Sequence, residues 1–209
     1  MESLLTIVEL FLELLNEKFI AVHMVHLNEA DINLVQQTHC HVVHCPESNL
    51  KLASGFCPLQ KLFDAGINVA LGTDGAASNN DLDMFAELRT ATLLGKAIAG
   101  DPTAAQAHRM LEMATLGGAR ALGLDEVCGS LVAGKAADMI AIDLSALELQ
   151  PVHDPIAHLI YNIHSHHVSD VWVEGQALVH NGQWLSIDIE ECRSRAAHWR
   201  MRVAEVLKG

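Results

Sequence analysis

The sequence predicts an α/β protein: a parallel sheet first, then a smaller β region and a closing helix. Three observations carry this. Short apolar runs at 19–24, at 41–45 and from Ile67 up to Asp74 are separated by helix-like stretches of roughly 8 to 15 residues, the pattern of a parallel sheet. Past Leu124 the chain becomes turn-rich, with hairpin signals at Glu174-Gly175 and Asn181-Gly182. From Asp188 it reads as one helix, rich in Glu early and Arg late, as the helix dipole prefers.

Each element has a local reason. Ser3 is placed to cap a helix running to about Asn16, with Leu4, Leu5, Val8, Phe11, Leu12 and Leu15 along one face. The first strand follows at 19–24. Asn28 reads as the N-cap of a helix through about Gln37, with Asp31 in its first turn. The second strand, 41–45, is stopped by Pro46 and leads into a polar loop, 47–55. A helix then starts with Pro58 at its first position, runs to Ala65 and closes on Gly66. The third strand runs into Asp74, and two or three helices fit between Asp81 and Leu122. In the β region, 139–143 is a strand, 168–173 and 176–179 form a hairpin, and the last helix spans about 188–207. Right-handed β–α steps put strand ends on one side, so His23, His44 and Asp74 are expected to converge.

Composition narrows the function. A chain of 209 residues can bury roughly 70% of its unfolded surface. No apolar run reaches the ~18 residues of a membrane span, and the first residues carry acids where an export signal needs positive charge. A net charge of −13 argues against nucleic acid or an anionic membrane as partner. Five cysteines, odd in number and without a Cys-x-x-Cys pair, fit a reduced, cytoplasmic protein. Thirteen histidines, as many as Lys and Arg together, favour a metal or acid–base site.

The chemistry concentrates at Gly72-Thr73-Asp74-Gly75. An aspartate at the carboxyl end of a parallel strand can face a ligand while its backbone stays in the sheet. Gly72 and Gly75 are expected to keep its surroundings open to a metal or substrate. The plainer reading is that Asp74 caps a turn, but the motif continues through Ala76-Ala77-Ser78-Asn79-Asn80-Asp81-Leu82-Asp83-Met84, longer than a turn requires.

Together with His44-Cys45-Pro46-Glu47-Ser48-Asn49-Leu50-Lys51-Leu52-Ala53-Ser54-Gly55, this motif strongly resembles the amidohydrolase superfamily. The branch most resembled is that of the 5-methylthioadenosine/S-adenosylhomocysteine deaminases and related chlorohydrolase-type proteins. Ala21-Val22-His23-Met24 resembles that family's sixth barrel strand, and 129–143 its small β domain. The resemblance implies the C-terminal part of a metal-dependent (β/α)8 TIM barrel, strands six to eight, over residues 1–125. It further implies part of a small β-sandwich domain over 126–187 and a C-terminal helix over 188–209. The cofactor it implies is zinc. Asp74 is then metal ligand and proton acceptor, and His23 polarises the attacking water or the tetrahedral centre. His23, His44, Ser48, Asn49 and Asp74 border the substrate. A metal that brings the pKa of its water to about 7 supplies hydroxide at neutral pH, which would add to the ring carbon bearing an amino group. A carboxylate would pass the proton to departing ammonia. The partner expected is a small nucleoside-like molecule; a guanine-like base or a triazine is the alternative.

Relatives also bind metal through a His-x-His pair after strand one and a histidine after strand five, followed three residues on by a glutamate. These are absent here. A barrel of this kind needs about 250 residues. Local stand-ins are poor: His39-Cys40-His41 lies at the entrance of its strand, and Glu29, three residues after His26, sits at a helix start. His164-Ser165-His166-His167 falls in the β region and is expected to be a polar surface turn rather than an adventitious metal site. His44 either sits near the metal or hydrogen-bonds within its own loop. Cys45 and Cys57 flank the pocket loop without a cation and are expected to be inert. Zinc needs three or four ligands, so the isolated chain is expected neither to retain zinc nor to deaminate. Two readings lead: part of a zinc-dependent aminohydrolase that works with a missing N-terminal half, or a non-catalytic scaffold that pairs with itself or a partner. An independent small-molecule binding module is the weakest, because most of the pocket floor would be missing.

Overall fold

Three short strands, Ile20–Val22 (β1), His41–His44 (β2) and Val69–Leu71 (β3), pair in parallel in that order. The register sets Ala21 beside Val42 and Val43 beside Ala70. The computed structural model describes residues 13–207. Residues 13–16 carry no helix, and the rest of the helix expected from Ser3 lies outside the described residues.

The connections are helical: Glu29–Gln37 (α1) between β1 and β2, then Pro46–Lys51 (α2) and Leu59–Asp64 (α3) between β2 and β3. Met84–Ala99 (α4), Ala107–Met113 (α5) and Leu116–Ala121 (α6) follow β3. At the start of α1 the Asn28 side chain accepts the N–H groups of Ala30 and Asp31, while the Asp31 carboxylate accepts the N–H of Asn28. This reciprocal cap satisfies donors that would otherwise be orphaned at a helix start. At the start of α4 the Asp83 side chain accepts the N–H groups of Phe85 and Ala86, without a reciprocal bond, and Gly100, at φ 65°, ends the helix.

The first sheet is buried among these helices. Val35, Val42, Leu59, Leu62, Ile67, Val69, Leu88, Met110 and Met113 form one core, joined by Ile160 from a later helix, Pro155–Tyr161 (α7). Helix α6 lies so close to β3 that a Cβ at Gly117 would fall 2.6 Å from the carbonyl oxygen of Val69. Only glycine allows that approach.

Two local expectations are corrected. The polar loop 47–55 contains α2, with Pro46 at its first position, where a missing N–H costs nothing. Pro58 is the N-cap of α3 rather than its first residue.

The compositional boundary was expected near residue 125. Among the described residues, contacts group those up to Lys135 with Leu144–Ser165, and Ala136–Asp143 with those from His166 on. The second unit is a four-stranded antiparallel sheet, Met139–Ile142 (β4), Val168–Val173 (β5), Gln176–His180 (β6) and Gln183–Trp184 (β7), in that order. It is a single layer among the described residues. Positive φ at Glu174 and Gly175 (51°, 77°) and at Asn181 and Gly182 (49°, 72°) gives both turns the twist that hairpins require. Asp188 caps the last helix, Ile189–Val206 (α8), none of whose residues is buried. The histidine-rich segment is not a simple surface turn: Ser165–His167 forms a short 3-10 helix and His167 is buried. No helix among the described residues is long and apolar enough to cross a membrane.

Candidate active site

Beyond β1 and β3 the chain leaves the sheet abruptly. His23 (φ 72°) follows β1 and Asp74 (φ 62°) lies three residues past β3, both in the left-handed region. His and Asp are among the side chains that tolerate this conformation, which turns each out of its strand direction. Their side chains meet: His23 Nε2 lies 3.9 Å from Asp74 Oδ2. Asp74 is exposed, and His23 is half-buried.

Helix α2 supplies the partners of both. Ser48 Oγ donates to Asp74 Oδ2 at 2.7 Å, and Ser78 Oγ donates to the same oxygen at 2.7 Å. These hydroxyls, Ser78 first and then Ser48, with the Gly75 N–H, hold the Asp74 carboxyl down at about 2. The carboxylate is therefore ionised at any physiological pH. Asn49 Oδ1 accepts a hydrogen bond from His23 Nδ1 at 2.8 Å. An amide oxygen can only accept, so Nδ1 carries hydrogen and Nε2 is the nitrogen turned towards Asp74. Ser48 and Asn49 are both buried. Asn49 Nδ2, also buried, has no hydrogen-bond partner among the described residues.

His44, at the end of β2, is buried, and its Nδ1 has no hydrogen-bond partner among the described residues. Burial, with His23 adding to it, lowers its pKa to about 4, so it is neutral. The structure thus gives no hydrogen bond at Nδ1 within its own loop. Cys45 and Cys57 are buried thiols pushed up to about 12, burial being the chief cause in each, and are inert as nucleophiles.

The two glycines differ. Gly75 has open space where a Cβ would stand, as an approachable site requires. Gly72 does not serve that purpose: a Cβ there would lie 3.1 Å from Val43 Cγ1, so its smallness serves packing on β2. A cleft of about 220 Å³ beside Asp74 is lined by Glu47, Lys51, Ser78, Asn79, Asn80 and Asp81. A larger hollow, about 360 Å³, sits at the amino ends of β2 and β3 among His39, Cys40, His41 and Asn68. His41 Nδ1 accepts there from Asn68 Nδ2 at 3.1 Å, and this is the end remote from Asp74. Glu29 is paired with Lys61 at 2.6 Å, as a first-turn surface acid.

The site as folded contains residues that sequence reasoning did not single out. Ser78 grips the Asp74 carboxylate, and Asn79 is buried beside Glu87 and Glu47. Their signal was present in the unusual length of the motif after Asp74. Glu87 carried no such signal.

The donors fit part of a zinc site. A carboxylate and an imidazole are ordinary zinc ligands, and a buried imidazole nitrogen without a partner lies nearby at His44. Asp74 and His23 alone fall short of the three or four ligands zinc takes.

Comparison with known proteins gives one consistent picture. The model of the amidohydrolase family matches residues 4–178. The 5-methylthioadenosine/S-adenosylhomocysteine deaminase of Teredinibacter turnerae is 52% identical over 182 residues, 87% of this chain and 41% of that protein. The enzyme of the same name from Moorella thermoacetica is 50% identical over 180 residues, 86% of this chain and 42% of that one. The chain thus spans about two-fifths of the length of these curated relatives. Among solved structures, a zinc-bound adenosine deaminase from Xanthomonas campestris superposes with a TM-score of 0.91 at 46% identity, covering 96% of this chain and 48% of that one. The zinc-complexed atrazine chlorohydrolase of Arthrobacter aurescens gives 0.81 at 30% identity, over 88% and 41%.

Proposed function

Because this chain belongs to the amidohydrolase family, we propose that it forms the C-terminal part of a zinc-dependent aminohydrolase acting on an adenosine-type nucleoside, such as 5-methylthioadenosine or S-adenosylhomocysteine. β1, β2 and β3 would be barrel strands six, seven and eight. The observation that carries the reading is the meeting of Asp74 and His23 beyond the carboxyl ends of β3 and β1, the outer strands of one parallel sheet, 3.9 Å apart. Identities of 52% and 50% to the deaminases, against 30% to the chlorohydrolase, support the nucleoside over a triazine.

In the reaction, a water oxygen bonds to the ring carbon bearing the amino group, the C–N bond breaks, and ammonia leaves with a proton from that water. Zinc, when bound, supplies Lewis-acid activation of the attacking water. Asp74 would be one of its ligands. A carboxyl held at about 2 is a better ligand than base. To take up a proton Asp74 must lose a hydroxyl donor, and both serine hydroxyls are free to rotate. His23, fixed by Asn49 with Nε2 facing Asp74, would polarise the developing tetrahedral centre. Neutral His44 adds no positive charge at neutral pH. Ser48 and Ser78 keep the Asp74 carboxylate aimed.

The remaining ligands would come from residues outside these 209, so the isolated chain is expected to retain less than one zinc per molecule and to turn over nothing. Metal analysis of the purified chain checks this; one tightly held zinc with turnover would overturn it. Supplied with the N-terminal part of a relative such as the Moorella deaminase, the chain should restore loss of adenosine absorbance. Asp74→Asn should then lower the rate at least about 100-fold. Full activity in that variant would remove Asp74 from the reaction.

A further inference from the structure

Behind the Asp74 turn lies a cluster of acids that these roles leave unused. Glu87, on α4, is fully buried, and its Oε1 accepts from Asn79 Nδ2 at 2.5 Å. Its Oε2 accepts the backbone N–H of Glu47 at 3.3 Å. The same Asn79 nitrogen reaches Glu47 Oε2 at 3.3 Å, while Thr90 Oγ1 donates to Glu47 Oε1 at 3.1 Å. Asn79 Oδ1 accepts the N–H of Leu82. One amide therefore ties together the start of α2, the turn after Asp74, and α4. The first of these carries Ser48 and Asn49; the second carries Asp74 and Ser78.

The charged and titratable groups bearing on Glu87 are acidic: Glu47 beside it, Asp81 from the turn, and Cys45 from the end of β2. Lys51, the cation on α2, directs its ammonium to Ala77 O and Asn80 Oδ1 instead. Two carboxylates that share one amide donor and face no cation repel each other once both are ionised, and a single proton relieves the repulsion.

We propose that Glu47, Asn79 and Glu87 form a proton-dependent clamp, in which protonated Glu87 acts as a positioning residue holding the Asp74 turn against α2. Ionisation of Glu87 loosens the clamp and, with it, the Ser48–Asp74 bond. The catalytic consequence rests on the proposed function; the clamp itself is a property of the folded chain. Burial, opposed by the Glu47 N–H and reinforced by the Glu47 charge, raises Glu87 to about 7. Opening that returns Glu87 to water lets it ionise near its ordinary 4.5, so the open form gains as pH rises through 7.

Hydrogen exchange of segment 74–82, corrected for the intrinsic rate and followed from pH 6 to 8 on the 209-residue chain, tests this. Opening should increase roughly tenfold over that range in the unaltered chain. It should stay flat in Glu87→Gln, whose amide cannot ionise, and be high at every pH in Glu87→Ala. A flat profile in the unaltered chain, or a Glu87→Gln variant that tracks it, overturns the clamp. Should Glu87→Gln not fold, an NMR titration of the Glu87 carboxyl decides: a midpoint near 7 supports the clamp, and one near 4.5 overturns it. Neither readout uses turnover, so failure of the clamp and failure of the deaminase reading are distinguishable.

Discussion

The two units of this chain acquire their order by opposite means. In the second, the turns are local: Glu174-Gly175 and Asn181-Gly182 adopt positive φ and close hairpins between strands that are sequence neighbours. In the first, the site is assembled from residues far apart in the chain. Ser48 reaches Asp74, Asn49 reaches His23, and Asn79 joins Glu47 to Glu87. The contrast teaches that turn chemistry explains a fold's shape, while its reactive groups are fixed by buried polar contacts between separate loops.

If that is right, the first unit should be the more sensitive to a single added methyl. Gly117→Ala would place Cβ 2.6 Å from the Val69 carbonyl oxygen, a backbone atom that cannot move aside. A loss of roughly 3 kcal/mol is expected, the upper end for overpacking. In the second unit, Gly182→Ala meets nothing within 4 Å and is strained only by its φ of 72°, so about 1 kcal/mol is expected. Denaturant titrations of both variants check the ordering, and equal losses would break the comparison.

The same contrast explains how much was legible beforehand. The α1 cap at Asn28, the hairpin turns and the final helix after Asp188 follow from residues within a few positions of one another. Helix α2 reads as a loop in the sequence because it has six residues, four of them polar or charged, and no side-chain cap. It is held by Ser48 and Asn49 bonding to distant partners, which no local pattern announces. Glu87 is silent in the sequence for the same reason. It lies on a helix face shared with Leu88, Ala91, Thr92 and Gly95, where a glutamate reads as solvent-exposed until its partners are known. The meeting of His23 and Asp74 was foreseeable, because parallel strands joined by right-handed crossings deliver their ends to one side. Their left-handed φ values and the Ser78 contact were not.

Acidification probes the first unit through two groups of opposite sign. The buried His44 has its pKa lowered to about 4 from 6.5, so its contribution is complete above 6.5 and is lost as pH falls towards 4. Glu87 has its pKa raised to about 7 from 4.5, so its contribution is complete below 4.5 and is lost as pH rises through 7. Each changes stability by about 2 kcal/mol between pH 7 and 5, and the two changes oppose each other. Thermal melts should separate them: Glu87→Gln is expected to lose stability on acidification, and His44→Gln to gain it. Parallel pH profiles for the two variants would mean that neither group is buried as described.

The smallest effect belongs to the last helix. Asp188 accepts the N–H groups of Glu190 and Glu191 at 2.9 and 3.0 Å, and no residue of α8 is buried. With no buried residue to hold the first turn, its order rests on the cap and on ion pairs such as Arg193–Glu190 and Arg195–Glu191. Exposed pairs of that kind contribute a few tenths of a kcal/mol, whereas loss of an aspartate cap costs about 1 kcal/mol. Asp188→Ala should therefore lower helical circular dichroism and raise amide exchange in residues 189–195, leaving the exchange of α4 and the global unfolding midpoint unchanged. A shift of the midpoint in that variant would show that the helix is coupled to a core, and the separation of local from long-range order drawn between the two units would fail at its simplest point.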